Sequence, residues 1–175
     1  MPVSREQLFA RLSELGIEST TLDHEPVMTV AESEHVTGHL PGVHTKNLFL
    51  KDEKGALFLV TAPWERQIKI NQLHKLLGCK RLSFGNAELL METLGVTPGS
   101  VTALAPINDT AGRVTVVLDA WIAEQELVNC HPLTNTATTT LKTRDLIRFL
   151  EATGHPPKLV PLEATLAGGA PAIGN

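Results

Sequence analysis

The sequence predicts a single domain built on a mixed α/β (α+β) sheet, and three observations lead to this prediction. The chain of 175 residues is 42% hydrophobic and 19% charged, which is enough for one domain with a buried core and too little for two ordinary domains. Helical and strand patterns alternate irregularly along the chain, and a hairpin pattern stands in the middle. This arrangement favours helices around a mostly antiparallel mixed sheet over a doubly wound parallel sheet.

Capping-box pairs predict the first two helices. Ser4 with Gln7 opens a helix with leucines at helical spacing, and Thr29 with Glu32 opens a short second helix. Four more helices are predicted: one capped by Asn71 and closed by Gly78, one at 87–94 closed by Gly95, a short segment from Asp119 to Glu124, and a last helix capped by Thr143 and closed by Gly154.

The strongest strand signal is a hairpin formed by residues 44–51 and 56–62. The intervening Asp52-Glu53-Lys54-Gly55 has the charge and the terminal glycine of a tight turn. Further strands are predicted at 17–23, 80–84, 100–104, 114–118, 126–130, 136–140 and 158–162. Residues 1–163 are therefore expected to form the domain, and residues 164–175, which are small and rich in glycine, a disordered tail.

Charge and cysteine content exclude several classes of protein. A formal charge of -4 and a pI near 6.0 argue against bulk non-specific binding to nucleic acid, although a local basic patch stays open. Cys79 and Cys130 show neither a CxxC pattern nor metal-ligand spacing, and Cys130 is disfavoured as a nucleophile beside His131 because adjacent strand residues point to opposite faces. The N-terminus lacks a signal-peptide pattern and no apolar run approaches about 20 residues, so a cytoplasmic location is expected, with no membrane or DNA partner.

Residues 129–140 form the most unusual stretch of the chain. Asparagine and threonine side chains surround His131 there, and the stretch ends in a β-prone run. Such groups can orient an imidazole at the edge of a sheet, so His131 is either part of a site or a satisfied structural histidine. His24, His35, His39 and His44 are also close in sequence, but without a completing ligand set solvated loop histidines are favoured over a metal site.

Two other residues have both a structural and a functional interpretation. Lys46 is either an exposed strand lysine or a cation at the sheet rim that binds an ester or phosphate oxygen. Gly99, after Pro98 and before a β-run, is either a turn glycine or a point where the backbone approaches a ligand closely. The residue pattern alone leaves both choices open.

Five motifs together resemble the YbaK/ProRS-associated superfamily of editing domains. They are His24-Glu25-Pro26-Val27, Thr45-Lys46-Asn47-Leu48-Phe49-Leu50, Leu94-Gly95-Val96-Thr97-Pro98-Gly99-Ser100-Val101-Thr102, Ile107-Asn108-Asp109 and His131-Pro132-Leu133-Thr134-Asn135-Thr136-Ala137-Thr138. The likeness runs in order from about Ser4 to Leu162 and is strongest to the free-standing ProXp-ala group, which hydrolyses Ala-tRNA(Pro). Two positions depart from the family: Ala103 occupies the proline place of its GxxxP loop, and Leu133 stands where related domains often have asparagine.

The resemblance implies an editing deacylase that removes alanine from tRNA(Pro), with no cofactor and no metal. By it, Lys46 is the family's functional lysine, Asn47 accompanies that lysine, Gly99 is the first glycine of the GxxxP loop, and His131 is the histidine of the HP loop. Substrate contacts are expected from Ser100, Val101 and Asn135 around the terminal adenosine, and from Val27, Met28 and Thr29 around the amino acid.

The expected partners are the acceptor end of tRNA(Pro) and, as a second candidate, prolyl-tRNA synthetase. Basic residues that could contact tRNA, or could equally be ordinary solvated charges, are Lys142, Arg144, Arg148, Lys69, Lys75, Lys80 and Arg81. Two alternatives stay open: the same hydrolysis on a tRNA that carries cysteine or serine, and a non-catalytic module that binds an acceptor stem or a synthetase.

Overall fold

The structure is a computed structural model that describes residues 1–26 and 29–167. These residues contain eight β-strands: β1 (Ser19–Asp23), β2 (Val43–Asp52), β3 (Leu57–Pro63), β4 (Leu82–Phe84), β5 (Val114–Asp119), β6 (Leu127–Cys130), β7 (Ala137–Lys142) and β8 (Lys158–Val160). They also contain six α-helices: α1 (Arg5–Glu14), α2 (Val30–Thr37), α3 (Ile70–Leu77), α4 (Ala87–Leu94), α5 (Ala120–Ala123) and α6 (Thr143–Ala152). Short 3-10 helices occupy Pro98–Ser100, Ala105–Asn108 and Leu162–Ala167.

The strands form one mixed sheet in the order β1-β7-β6-β2-β3-β5-β8, with β4 paired to β2 outside this path. Pairings β1–β7, β6–β7, β2–β3 and β2–β4 are antiparallel, and β2–β6, β3–β5 and β5–β8 are parallel. The predicted α/β fold with a mixed, mostly antiparallel sheet is therefore confirmed.

The two halves of the sheet are joined through a very short parallel pairing between β2 and β6. Only Val43 with Val128 and His44 with Asn129 are paired there, although both strands continue. Beyond His44 and Asn129 the strands pair with other partners, so the sheet opens between them. This opening is where the candidate site lies.

The helices cover the sheet with buried leucines and phenylalanines. Both predicted capping boxes are present, with Gln7 and Glu32 returning the hydrogen bond to the Ser4 and Thr29 backbones. Leu8 and Leu12 of α1 pack in the same core cluster as Leu146 of α6. The helical spacing of the apolar residues thus produced the expected buried faces.

Three local predictions were wrong. Asn71 lies exposed inside the first turn of α3, which begins after Lys69 without a side-chain cap, and Thr143 is the first residue of α6 rather than its cap. Residues 100–104 form no strand: Ser100 ends the 3-10 helix Pro98–Ser100, and a turn at 103–104 leads into Ala105–Asn108. Prolines flank this segment and the Thr102 hydroxyl bonds to the backbone, and both features compete with a strand ladder.

The predicted boundary between the domain and a disordered tail at residue 164 was wrong, because the 3-10 helix Leu162–Ala167 extends past it. Ala164 and Thr165 are buried within the 3-10 helix that packs against α3, and Thr165 Oγ1 accepts a hydrogen bond from the Lys69 backbone at 3.1 Å. Residues 168–175, the rest of that predicted tail, lie outside the described residues. Within the described ranges, each helix falls short of the length and apolar character that a membrane crossing requires.

Candidate active site

A small polar cavity lies where β2 and β6 separate. It measures about 30 Å³, which is room for a water molecule. Its lining comes from α2, from β2, from the end of β6 and from β7: Thr37, His44, Thr45, Trp64, Asn129, Cys130, His131 and Thr138. The unusual stretch of the sequence therefore does line a cavity.

His131 is the central residue of this cavity and carries a neutral imidazole. Its Nδ1 lies 3.2 Å from the Ala137 carbonyl oxygen, and because a carbonyl only accepts, Nδ1 carries the proton. Burial lowers the pKa of His131, and the nearby His24 ring lowers it further. The hydrogen bond to Ala137 acts in the opposite direction but does not cancel the effect of burial on this pKa. In the neutral ring, Nε2 holds a free lone pair, and within residues 1–26 and 29–167 no hydrogen bond engages it.

The backbone of His131 is tied to the loop that contains Gly99. Thr102, which is fully buried, donates from Oγ1 to the His131 carbonyl oxygen at 2.6 Å. Val101 and Leu133 pack in the same apolar cluster. Leu133 has a φ of 69°, a left-handed conformation that asparagine tolerates better than leucine. The predicted Gly99, Ser100 and Val101 thus adjoin the His131 loop.

Two more of the clustered histidines contribute to the site. His24 Nε2 lies 2.9 Å from Thr138 Oγ1, and its Nδ1 donates to the Glu25 carbonyl at 2.8 Å. His44 donates from Nε2 to the Leu40 carbonyl at 3.3 Å and stacks on Trp64, with the ring centroids 4.3 Å apart. Burial lowers the pKa of His44 as well. Across the described part of the chain, no group of three or more His, Cys, Asp or Glu side chains is arranged to hold a metal ion.

Lys46 lies next to the cavity but its ammonium group does not line it. The last pair between β2 and β6 is His44 with Asn129. Lys46 and His131 each come two residues after this pair, so both lie at the same end of the opening. The Nζ atom donates to the Arg66 carbonyl oxygen, and burial lowers the pKa of Lys46. Arg66 in turn bonds from Nε to the buried Asp119 carboxylate at 3.0 Å.

The other predicted site residues are dispersed around this opening. Asn47 points to the face opposite Lys46, and its Oδ1 accepts a 2.6 Å bond from Thr61. The Thr29 hydroxyl caps α2, and Asn135 is half-buried in the loop after His131. Val27 and Met28 lie outside the described residues. The fold thus brings Lys46 and His131 to the same end of the opening between β2 and β6, whereas Asn47 lies on the opposite face of β2.

The sequence interpretation missed several residues that shape the site. Thr45 donates from Oγ1 to the Asn129 carbonyl at 2.7 Å and so spans the opening. Trp64 and Arg66 fix His44 and Lys46 from the turn after β3, and nothing in the local sequence around them signals this. Cys130 lines the cavity with its pKa raised to about 12 by burial, which makes it a thiol and not a nucleophile at neutral pH.

The family model for an aminoacyl-tRNA editing domain matches residues 24–149. The chain belongs to this family. It is 41% identical over 161 residues to prolyl-tRNA synthetase associated domain-containing protein 1 of Danio rerio, an alignment that covers 91% of this chain and 88% of that protein. It is 33% identical over 160 residues to the prolyl-tRNA editing protein ProX of Acetoanaerobium sticklandii, with 91% and 98% covered. The resemblance to the YbaK/ProRS-associated editing superfamily is thereby confirmed.

A solved structure confirms the fold of this editing domain. The crystal structure of a candidate trans-editing enzyme for prolyl tRNA synthetase superposes with a TM-score of 0.68 over 91% of this chain and 98% of that one. Sequence identity in this comparison is 19%, so the likeness concerns the fold alone.

Proposed function

We propose that the chain is a trans-editing deacylase that hydrolyses the ester of Ala-tRNA(Pro) and releases alanine and free tRNA(Pro). The observation that carries this proposal is the neutral His131 ring, which lines a cavity large enough for a water molecule and whose Nε2 has no hydrogen-bond partner among the described residues. Membership of the editing family supplies the substrate class, and the ProX relative supports proline tRNA. The acceptor end of tRNA(Pro) is the proposed partner, with prolyl-tRNA synthetase as a second one.

In the proposed reaction, water attacks the ester carbonyl carbon and the bond to the ribose oxygen breaks. His131 Nε2 accepts a proton from the water or from the ribose hydroxyl, and that proton ends on the departing ribose oxygen. Lys46 offers a cation at the same edge, where it stabilises charge on the tetrahedral intermediate or holds a substrate phosphate. One of its N–H groups bonds to Arg66, and the other two have no hydrogen-bond partner in the described residues.

Selection of alanine rests on the size of the amino acid pocket. A small pocket excludes proline, but one methylene of difference is worth only about 1–3 kcal/mol, so the discrimination among small amino acids is limited. Val27, Met28 and Thr29 stay the proposed pocket residues. If Val27→Ala leaves the relative rates on alanine, serine and proline esters unchanged, Val27 is not part of that pocket.

The deciding experiment is single-turnover deacylation of four substrates by the wild-type chain: Ala-, Ser-, Cys- and Pro-tRNA(Pro). We expect rapid loss of alanine and slow loss of proline, with spontaneous hydrolysis of each ester as the baseline. Faster cleavage of the cysteine or serine ester would assign a different substrate within the same reaction. Binding of the tRNA with no cleavage of any ester would favour the non-catalytic binding module. This alternative is consistent with the name of the Danio rerio relative, which mentions only a domain associated with prolyl-tRNA synthetase.

The ribose hydroxyl next to the ester is expected to assist the reaction, because the site has no carboxylate base near His131 among the residues that line the cavity. A substrate with a 2′-deoxy terminal adenosine should therefore react at least about 100-fold more slowly, in line with the usual contribution of a positioned proton-transfer group. Equal rates for the ribose and deoxyribose substrates would rule out this assistance.

The rate should depend on pH through His131. Its pKa lies below the ordinary value of about 6.5, so the ring stays neutral, and active, as the pH falls through 6.5. Deacylation corrected for spontaneous hydrolysis should fall on the acidic side, and the fall should begin at a lower pH than a histidine with the ordinary pKa would give. His131→Ala should lose this acidic limb; if the limb persists unchanged, His44, whose pKa is also lowered by burial, is the titrating group instead.

A further inference from the structure

A second, larger cavity adjoins the polar one and has no part in the proposed hydrolysis. It measures about 390 Å³, within the usual range for a small-ligand site. His44 and Trp64 line both cavities, so a ligand in one touches the wall of the other. Trp121 also lines the second cavity, which therefore contains both tryptophans of the chain.

Neighbouring groups anchor both tryptophans of this cavity, Trp64 through its ring and Trp121 through its backbone. Trp64 is stacked on His44 with an interplanar angle of 17°. Trp121 is held at both backbone ends: its N–H bonds to Asp119 Oδ1 at 3.1 Å, and its carbonyl accepts from Gln125 Nε2 at 3.2 Å. Even so, Trp121 is 42% exposed. A large aromatic residue whose backbone is anchored and whose ring is uncovered is a suitable stacking surface for a planar ligand.

The charges around the cavity indicate which part of a nucleotide fits it. Glu65 and Glu126 line it, and carboxylates repel phosphate while accepting hydrogen bonds from the amino groups of cytosine or adenine. A third cavity of about 250 Å³ shares Glu126 with it and is lined by Lys142 and Arg144, whose charges suit a phosphate. The polar, aromatic and basic cavities therefore follow one another along the surface. This order suits single-stranded nucleic acid, whose bases stack on aromatic rings while its phosphates contact basic side chains.

We propose that the aromatic cavity binds the base of the penultimate nucleotide of the tRNA acceptor end, a cytidine, against Trp121 and the His44–Trp64 pair. The proposal rests on the proposed function, which places the ester and the ribose of the terminal adenosine beside His131 at the polar cavity. The adjacent base then enters the cavity that shares His44 and Trp64, and its amino group meets the glutamates. Lys142 and Arg144 lie where the backbone phosphates leave the site.

The test is a double-mutant cycle between Trp121→Ala and an acceptor minihelix with an abasic penultimate position. Binding of uncharged minihelices is measured by fluorescence anisotropy at one fixed salt concentration. Trp121→Ala should weaken binding of the intact minihelix about 5- to 100-fold, the loss of one base–aromatic stack. The abasic minihelix should bind the wild type equally weakly, and the two changes together should cause little further loss.

Phe84→Ala is the matched control, because Phe84 is 61% exposed on β4 and lines none of these cavities. It should bind as the wild type does. Trp121→Phe keeps a stacking surface and should retain most of the affinity. If Trp121→Ala fails to fold, the comparison of intact and abasic minihelices on the wild type still tests whether the penultimate base contributes to binding. Replacement of the penultimate cytidine by uridine keeps the stack but loses the amino group, so intermediate binding is expected.

The outcomes separate this proposal from the proposed function. Equal binding of intact and abasic minihelices, or independent effects of the two changes, would overturn the base-stacking site even if Ala-tRNA(Pro) is hydrolysed at full rate. Base-dependent binding that requires Trp121, without hydrolysis of any ester, would support the stacking site and overturn the deacylase.

Discussion

Lys46→Ala is expected to slow single-turnover deacylation of Ala-tRNA(Pro) by about 100-fold or more, the usual effect of removing one group that stabilises oxyanion charge. Lys46 places a cation at the end of the opening that also contains His131, and alanine removes both that charge and its hydrogen-bond donors. The measurement is the rate constant at saturating enzyme, compared with that of the wild-type chain. Thermal unfolding of both proteins verifies that the variant is folded.

Two variants make this prediction specific to the ammonium group of Lys46. Lys54→Ala removes an exposed lysine from the turn of the same hairpin, and it should leave the rate within about twofold of wild type, as is usual for surface positions away from a site. Lys46→Arg keeps the charge but replaces a compact ammonium with a planar fork, so partial activity is expected. A Lys46→Ala rate close to that of Lys54→Ala would mean that Lys46 is a structural residue bound to Arg66.

Local signals in the sequence predicted most of the elements of the fold. The capping pairs Ser4–Gln7 and Thr29–Glu32 and the hairpin turn at 52–55 act over a few residues, so their structure follows from neighbouring side chains. The prediction over residues 100–104 was wrong because flanking prolines and the Thr102 hydroxyl, which bonds to the backbone, keep this β-prone segment out of the sheet. Pairing is a property of the whole sheet, and a propensity cannot supply a partner.

The site could be predicted in part for the same reason. His131 was found because its neighbours in sequence are also its neighbours in the cavity, such as Asn129 and Thr138. The partner of the Lys46 ammonium, the Arg66 carbonyl, is twenty residues away. The two tryptophans come from the turn after β3 and from α5, which are distant in sequence. These contacts depend on how β2, β3 and β5 are ordered in the sheet, and the residue pattern does not reveal that order.

A buried hydrogen-bonded pair outside the cavity lining shows the same limit more strongly. Asp109 appeared in the sequence only as part of a family motif, and His155 had no apparent role. In the structure the Asp109 Oδ2 and His155 Nε2 atoms lie 2.8 Å apart, and both side chains are almost fully buried. Asp109 also accepts backbone hydrogen bonds from Arg113 at 3.1 Å and Val114 at 2.8 Å. One carboxylate therefore connects the start of β5 to the segment that follows α6.

Asp109→Ala should consequently lower the free energy of unfolding by about 3–5 kcal/mol, the usual loss when one partner of a buried pair is removed. The substitution leaves two backbone N–H groups and the His155 ring without their acceptor in the interior, and each unmet group costs about 1–3 kcal/mol. Urea unfolding at neutral pH measures the change. Asp109→Asn retains one acceptor oxygen and should lose less.

Glu92→Ala is the matched control for Asp109→Ala. Like Asp109, Glu92 is a carboxylate that binds Arg113, but it contacts the guanidinium group at 2.7 Å and lies at an exposed position. Exposed pairs contribute little, so the urea midpoint of Glu92→Ala should stay close to that of the wild type. If Asp109→Ala behaves like Glu92→Ala, the His155 pair is not a major support of the fold. If it unfolds far more easily, the carboxylate that connects β5 to the chain after α6 sustains the sheet on which Lys46 and His131 stand.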